Sequence, residues 1–334
     1  MSDLSTKYLG LSLKNPIIIA SSGLTDSVES IKILEKNGAA AVVLKSLFEE
    51  EIVAEMDANL KKMASSSFIY PETLDFYEDS DEENLSMKYL ELITDVKKEV
   101  KIPIIASINC VTADQWTFFP KQIAESGADA IELNLFLLPS DFNRDSKANE
   151  KVYFDIIENV KKQVNIPISL KVSYYSSDLG RTLQKFSQSG ISGLVLFNKF
   201  YSPDIDLDKM EITSGKILSS PEDMYISLRW MAIMSGRVEC DLAASTGVHD
   251  GDGVLKQLLA GANAVQVAST VYKNGPEHIQ EMLNDIQNWM GEKGFKSLDE
   301  FRGKMSQSES SNPAAFERVQ FMKYFRGYQH VLNS

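Results

Sequence analysis

The amino-acid sequence predicts an α/β fold of the (β/α)8 barrel (TIM barrel) class within 334 residues. Eight short apolar runs follow one another along the chain, and they are continuous rather than alternating, as is typical of parallel strands buried on both faces. A proline opens some of these runs and a helix-ending glycine precedes others, so helical segments separate the strands. The predicted strands end near Ala20, Lys45, Ser107, Asn134, Val172, Asn198, Ala244 and Val267.

Amphipathic helical patterns lie between these runs. They include SVESIKILEKNG after the first strand, YFDIIENVKKQV after the fourth and HIQEMLNDIQNWM after the eighth. The stretch 242–270 shows one complete unit. Its first strand is followed by a helix over 254–260, and Gly261 ends that helix just before the next strand.

Two connections are too long for simple barrel loops: 48–86 after strand two and 199–222 after strand six. Both leave the carboxyl ends of strands, so we expect them to form a wall or lid of the active site rather than surface excursions. The acidic run TLDFYEDSDEENLS inside the first is better explained as a solvated loop. We expect residues 1–306 to form the barrel, and 307–334 to be a helical extension that packs on the barrel or on a second subunit.

Composition excludes several classes of function. A net charge of −13 argues against a nucleic-acid or anionic-membrane partner, and no apolar run is long enough to cross a bilayer. The start MSDLSTKYLG has no secretory pattern, and two cysteines suit a reducing compartment, so we expect a cytoplasmic protein. Three histidines and two cysteines make a metal site improbable, and none is predicted.

Two turns near the end of the strand series predict a phosphate site. Ser245-Thr246-Gly247 and Ala268-Ser269-Thr270 follow the last two strands, where (β/α)8 barrels commonly bind phosphate. The small side chains there suit close approach of a phosphate to the backbone. Taken alone, the same residues are also compatible with two ordinary tight turns.

Polar residues also end most of the other strands, and all of these ends meet at one mouth of a barrel. A single residue of this kind is more often a satisfied loop cap, but the set matches a ligand with a phosphate at one edge and a planar, amide-rich head. Flavin mononucleotide (FMN) is such a ligand, and Lys171 is the candidate for the charge beside its N1–O2 edge. The strand-end candidates are Ala20, Ser21, Ser22, Lys45, Ser46, Asn109, Asn134, Lys171 and Asn198.

With these residues in view, the chain resembles the FMN-dependent dihydroorotate dehydrogenases, closest to the soluble class 1 form. NPIIIASSGL, VVLKS, IELNL, ISLKVS, VLFN, STGV, AGANAVQVAS and GFKSLDEFRGKM follow that family's order. The resemblance implies that the strand-end candidates other than Ser22 surround the flavin ring and ribityl chain. It also implies that Thr246, Gly247, Ala268 and Ser269 hold the phosphate, with Ser219 and Ser220 where the family has further glycines.

The sequence departs from the family's pattern at the catalytic base. After Asn134 the family places a cysteine or serine base, and here the segment NLFLLPSDFN has Leu137 at that position. The family's asparagine-bearing loop after strand two is replaced by FIYPETLDFY, which makes the chain similar to the divergent, dihydroorotate dehydrogenase-like branch. Ser140 and Tyr201 are the first candidates for the missing base, with Asp141 and Tyr70 behind them.

The sequence therefore favours an FMN-dependent oxidoreductase that oxidises or reduces a CH–CH bond in a small, polar, pyrimidine-like substrate. The family reaction, dihydroorotate to orotate in pyrimidine biosynthesis, is disfavoured by Leu137. The alternatives are a flavin-binding protein without turnover, and a phosphate-binding lyase or aldolase with Lys171 as Schiff-base nucleophile. No NAD-binding glycine fingerprint is present, so we expect a soluble electron acceptor or a partner reductase. The resemblance also suggests a homodimer.

Overall fold

A computed structural model describes residues 2–48, 85–110, 119–135, 137–200 and 202–317. The strands there are β1 (Thr6–Tyr8), β2 (Leu11–Leu13), β3 (Ile17–Ile19), β4 (Ala41–Val43), β5 (Leu47–Phe48), β6 (Ile104–Cys110), β7 (Ala130–Leu135), β8 (Ile168–Val172), β9 (Gly193–Leu196), β10 (Pro203–Asp206), β11 (Glu211–Ser214), β12 (Asp241–Ser245) and β13 (Ala264–Val267). The helices are α1 (Val28–Lys36), α2 (Leu85–Glu99), α3 (Phe119–Glu125), α4 (Ser146–Lys161), α5 (Leu179–Gln188), α6 (Met224–Met234), α7 (Gly251–Ala260), α8 (Ser269–Asn274) and α9 (His278–Lys293).

The parallel strands close into a barrel, which confirms the predicted fold class. Within the described ranges the order around it is β3, β4, β6, β7, β8, β9, β12 and β13, and β13 pairs with β3 to close the ring. The short β5 adds a further parallel pairing to β6. Each crossover between neighbouring parallel strands that the structure describes in full contains helix, as a parallel sheet requires.

Most element boundaries match the sequence expectations. The barrel strands end within about three residues of the predicted positions, and the three helical patterns named above fall on α1, α4 and α9. Gly261 ends α7 with a left-handed backbone, φ +118°, and its N–H donates to the carbonyl of Gln257. Glycine adopts this left-handed conformation without the steric cost that a Cβ atom would bring, which explains why it ends the helix.

A hairpin formed by β1 and β2, which the sequence analysis missed, closes the bottom of the barrel. Tyr8 and Leu9 belong to it, and both side chains are buried among the inward-facing residues of the barrel. The facing strand positions are small because this plug fills the space. At Gly193 a Cβ atom would lie 2.5 Å from Leu9 Cδ2, closer than real contacts allow. The amino-terminal end of the barrel is therefore closed by packed side chains, and the active site is expected at the carboxyl end.

The second and larger core lies between the strands and the surrounding helices. Ile17 and Ile19 point outward into it, while Ile18 between them points into the barrel. Both faces of β3 are thus buried, which explains why its sequence is continuously apolar. Complete burial of one such side chain is worth about 1.5–3 kcal/mol.

The two long connections and the carboxyl-terminal tail are only partly described. Residues 49–84 of the first connection lie outside the described ranges. The second contains the exposed hairpin β10–β11, a regular element where a loop was expected. In the tail, Pro313–Phe316 forms a short 3-10 helix, and the rest of the proposed helical extension, 318–334, lies outside the described residues.

Neither a membrane-spanning helix nor a metal-binding cluster is found among the described residues. No helix among the described residues is long and apolar enough to cross a membrane. Those residues also contain no group of three or more His, Cys, Asp or Glu side chains placed to hold a metal ion.

Candidate active site at the carboxyl end of the barrel

Strand register brings the predicted polar residues to one level of the barrel interior. Asn109 on β6 pairs in register with Asn134 on β7, which pairs with Lys171 on β8. Partners in adjacent parallel strands project to the same face, and side chains alternate along each strand. One level below, Ser107 pairs with Glu132 in the same way. The interior is therefore polar near the mouth, whereas it is apolar at the floor.

Lys171 is the centre of a buried charged network. Its Nζ donates to Gln266 Oε1 at 3.0 Å and lies 3.7 Å from Glu132 Oε1. Gln266 Nε2 in turn donates to Glu132 Oε2 at 2.5 Å. The side chains of Lys171 and Glu132 are only 7% and 0% exposed, so each charge depends on the other. The network holds one fixed ammonium group just beneath the mouth.

Glu132 and Gln266 were not among the predicted site residues. A usable signal was present, because Gln266 is a polar residue inside an otherwise apolar strand and Glu132 lies in a strand that is apolar apart from it and Asn134. Glu132 stands two positions before Asn134, so the two share a face of β7. A carboxylate on the interior face of a buried strand needs a cationic partner, and the inward lysine of the next strand provides it.

A second part of the mouth is built from amides and hydroxyls. Asn198 Nδ2 donates to Asn134 Oδ1 at 2.5 Å, which links the ends of β9 and β7. Across the barrel, the hydroxyls of Ser21 and Ser46 lie 2.9 Å apart, and that of Ser46 lies 2.7 Å from Ser107 Oγ. The structure thus brings most of the strand-end candidates together at one mouth.

Three further strand-end candidates differ in their surroundings. Ala20 is buried, and its N–H donates to the carbonyl of Val267. Lys45 is exposed at the end of β4. The Ser22 hydroxyl accepts a hydrogen bond from the N–H of Leu24 and caps a short 3-10 helix, so this side chain already has a structural role.

Ser219 joins the turns that were predicted to hold a phosphate. Its N–H donates to Ser269 Oγ at 2.9 Å, and its Oγ accepts from the N–H of Gly247 at 3.3 Å. His249 Nε2 lies 3.3 Å from the same Oγ, and Lys273 Nζ donates to the Ser219 carbonyl at 2.8 Å. The loop before α6 and the turns after β12 and β13 therefore meet at one buried serine.

Glycine at position 247 has a structural reason that the sequence analysis did not include. Its φ is +82°, and a Cβ atom there would lie 2.1 Å from the backbone N of Met224. The missing side chain makes room for the chain entering α6, so the packing of this turn by itself requires glycine here. Thr246 also has a positive φ of +75°, and its hydroxyl donates to the carbonyl of Phe197. Ser220 makes its hydrogen bonds to the Asp223 carboxylate.

Basic side chains beside this turn were missed by the sequence analysis. Burial and the Lys273 ammonium lower the pKa of His249 below its ordinary value. His278 donates from Nε2 to the His249 carbonyl and pairs through Nδ1 with Glu281. Burial opposes its charged form, but these two bonds outweigh burial and raise the pKa of His278. Lys273 therefore adds positive charge to a turn where phosphate was expected, with the neutral His249 ring beside it.

Of the candidate bases, only Ser140 and Asp141 lie among the described residues, and both are exposed. Ser140 is exposed, and its hydroxyl donates to the Leu138 carbonyl at 3.5 Å, the limit of a hydrogen bond. Tyr201 and Tyr70 lie outside the described residues. Leu137 packs against the outer core, on the far side of β7 from the inward-facing Asn134. No proton acceptor is therefore placed at position 137.

A closed parallel barrel with charged and amide side chains at its carboxyl end defines the class of an α/β-barrel enzyme. A family model described as dihydroorotate dehydrogenase matches residues 75–290. The chain is 26% identical over 315 residues, 91% of its length and 98% of the relative, to "Dihydroorotate dehydrogenase B (NAD(+)), catalytic subunit" of Thermoplasma volcanium. It is 24% identical over 306 residues, 90% of its length and 97% of the relative, to "Putative dihydroorotate dehydrogenase A (fumarate)" of Aeropyrum pernix. The chain belongs to the dihydroorotate dehydrogenase family and is an oxidoreductase.

Proposed function

We propose that this enzyme uses FMN and oxidises or reduces a CH–CH bond of a small polar substrate at the mouth of the barrel. The observation that carries the proposal is the buried Lys171 network, whose lysine pairs in register with Asn134 of the Asn134–Asn198 pair. It supplies a fixed positive charge and neutral amides where a barrel enzyme binds the reacting part of its ligands.

The donor set fits FMN by its chemistry. The ammonium and amide groups at the mouth suit the polar edge of a flavin ring. The hydroxyls of Ser219 and Ser269, with Lys273 and His249 beside them, suit a phosphate. When bound, FMN supplies hydride transfer, which no protein side chain can perform.

The protein's own residues have separable tasks in this proposal. Lys171 places a positive charge that favours an anionic, reduced ring. Gln266 fixes the ammonium by a hydrogen bond, and Glu132 offsets part of its charge. Asn134 and Asn198 hold each other's amides in place and orient them for a ring or a substrate.

The substrate proposal differs from the family reaction. Dihydroorotate oxidation needs a base for the proton that leaves with the hydride, and leucine at position 137 cannot accept one. We therefore propose a pyrimidine-like or other small polar substrate that does not rely on a base at this position, and a role outside the main step of pyrimidine biosynthesis.

Two rival functions are separated by the same observations. Flavin binding without turnover is the second proposal, and the leucine at position 137, which cannot accept a proton, favours it. The aldolase alternative is not supported, because the family to which the chain belongs is one of oxidoreductases.

The proposal extends to partners. The Thermoplasma relative is named as the catalytic subunit of an NAD(+)-type enzyme. We propose that electrons leave this chain to a partner reductase or to a soluble acceptor in the cytoplasm. We also propose a homodimer in which the β10–β11 hairpin takes part. Ile205, Leu207 and Ile212 of this hairpin segment are 63–85% exposed, and burying such a surface would stabilise a dimer.

Two measurements test the proposal. Purified protein, with and without added FMN, should show the flavin absorption spectrum after removal of free flavin. Anaerobic mixing with a panel of dihydropyrimidines and hydroxy acids should bleach that spectrum with at least one compound. A protein that retains no flavin even after FMN is added would refute the cofactor proposal. Flavin that no compound bleaches, although dithionite does, would favour the protein without turnover.

A further inference from the structure

A cavity of about 490 Å³ lies outside the barrel wall, between the segments that follow β7 and β8. It opens to the protein surface, so it is a pocket that a ligand can enter and not an internal packing void. It is within the range of small-molecule sites, which is about 300–1,000 Å³. The cavity is separate from the mouth, because Leu137 and Val172 line it whereas Asn134 and Lys171 face the barrel interior.

The inner walls of the cavity are apolar. Val172, Leu179 and Phe186 are nearly completely buried and present carbon surface from β8 and α5. Tyr153 of α4 contacts Phe186, with ring centroids 5.1 Å apart and ring planes tilted by 31°. Its hydroxyl is engaged by the Leu137 backbone and the Ser173 side chain, so it offers no open polar group. These walls suit an apolar, aromatic-sized body.

The rim has the opposite character and a positive charge. Glu150 is held by Lys185 at 3.0 Å and by the Thr182 hydroxyl at 3.3 Å, so its charge is already paired. Arg144 donates from Nη2 to the Ala148 carbonyl at 3.4 Å and forms no ion pair within the described ranges. A guanidinium has five N–H donors, which leaves Arg144 able to bind a carboxylate at the opening.

We propose that this cavity is a second ligand site, which takes a small molecule with an aromatic or similarly flat apolar body and an anionic end. The body would contact Leu137 and the α4–α5 walls, and the anion would meet Arg144. The site does not require flavin, so it goes beyond the proposed function and stands independently of it.

The test uses 1-naphthoate as the probe, its neutral analogue 1-naphthalenemethanol as the charge control, and the full-length protein as purified. Saturable binding of 1-naphthoate is expected with a dissociation constant of about 1 mM or tighter, as a ligand of this size provides. Leu137→Trp should fill the cavity and weaken binding about tenfold or more. Leu138→Trp is the matched control, because Leu138 is 52% exposed and does not line the cavity. It should leave binding within about twofold.

The charge is tested in the same way. Arg144→Gln should weaken the binding of 1-naphthoate about fivefold and leave the binding of 1-naphthalenemethanol unchanged. Arg181→Gln is the control, because that side chain is 73% exposed and lies outside the cavity lining, and it should change the binding of neither probe. If Leu137→Trp fails to fold, Ser177→Trp at the exposed rim provides the block instead. The proposed site would be refuted if 1-naphthoate showed no saturable binding, or if the Leu137 and Leu138 variants lost equal affinity for it. Equal loss of both probes in Arg144→Gln would overturn its anionic preference.

Discussion

Removing the negative charge of Glu132 should destabilise the fold through Lys171. Glu132→Gln keeps the shape of the side chain but leaves the ammonium, 7% exposed, without the carboxylate 3.7 Å away. Breaking one partner of a buried pair costs about 3–5 kcal/mol. Lys171→Met should cost a similar amount, because it leaves the carboxylate alone. The double variant should lose less unfolding free energy than the two single variants lose together, and the difference, the coupling free energy, should be about 2–4 kcal/mol.

Urea unfolding of the wild type, the two single variants and the double variant gives this coupling directly. The cycle is run on protein stripped of cofactor, so that ligand binding does not add to stability. A matched control is the exposed pair of Lys98 and Asp95, where side chains 66% and 57% exposed should show a coupling below about 1 kcal/mol. Coupling below about 0.5 kcal/mol at Glu132 and Lys171 would refute the view that these charges depend on each other.

The same variants should move a bound flavin's midpoint potential in opposite directions. Loss of the ammonium in Lys171→Met removes a charge that favours the reduced anion, so the potential should fall. Loss of the carboxylate in Glu132→Gln strengthens the local positive field, so the potential should rise. Dye-equilibrated titration measures both values, and shifts of the same sign would contradict the assigned roles.

Three further predictions follow from the described residues. Dihydroorotate should reduce bound flavin at least about 100-fold more slowly than a base-equipped enzyme would, and Leu137→Cys should restore little; rapid anaerobic bleaching by dihydroorotate would contradict this. Gly247→Ala should destabilise the fold by roughly 2–5 kcal/mol because its Cβ would meet the Met224 backbone, whereas Gly291→Ala, with open space around it, should be neutral or stabilising in the same thermal scan. A neutral His249 must gain a proton to pair with a phosphate. FMN affinity should therefore rise as pH falls from about 8 to 6, whereas the affinity for riboflavin, which has no phosphate, should not. His249→Gln should abolish this pH dependence of FMN affinity relative to riboflavin affinity. A pH-independent ratio of the two affinities in the wild type would remove His249 from the phosphate turn.

The sequence by itself determined the barrel and the order of its strands. Parallel strands buried on both faces must be continuously apolar, and helices that end before them need a residue that tolerates a left-handed backbone. Both are local constraints, so they are visible in runs such as PIIIA and in glycines such as Gly261. The same reasoning located Asn134 and Lys171, because polar residues at the carboxyl ends of barrel strands lie around the mouth of the barrel.

Only the tertiary structure decided how those residues are used. Lys171 is 95 positions from Gln266, and Gln266 is 134 positions from Glu132, so no local pattern relates them. Their contact depends on strand register around a closed barrel. The plug of Tyr8 and Leu9 likewise explains small residues in strands far along the chain. At Gly247, local reasoning missed one cause for the glycine, because the backbone that excludes a side chain there belongs to another element.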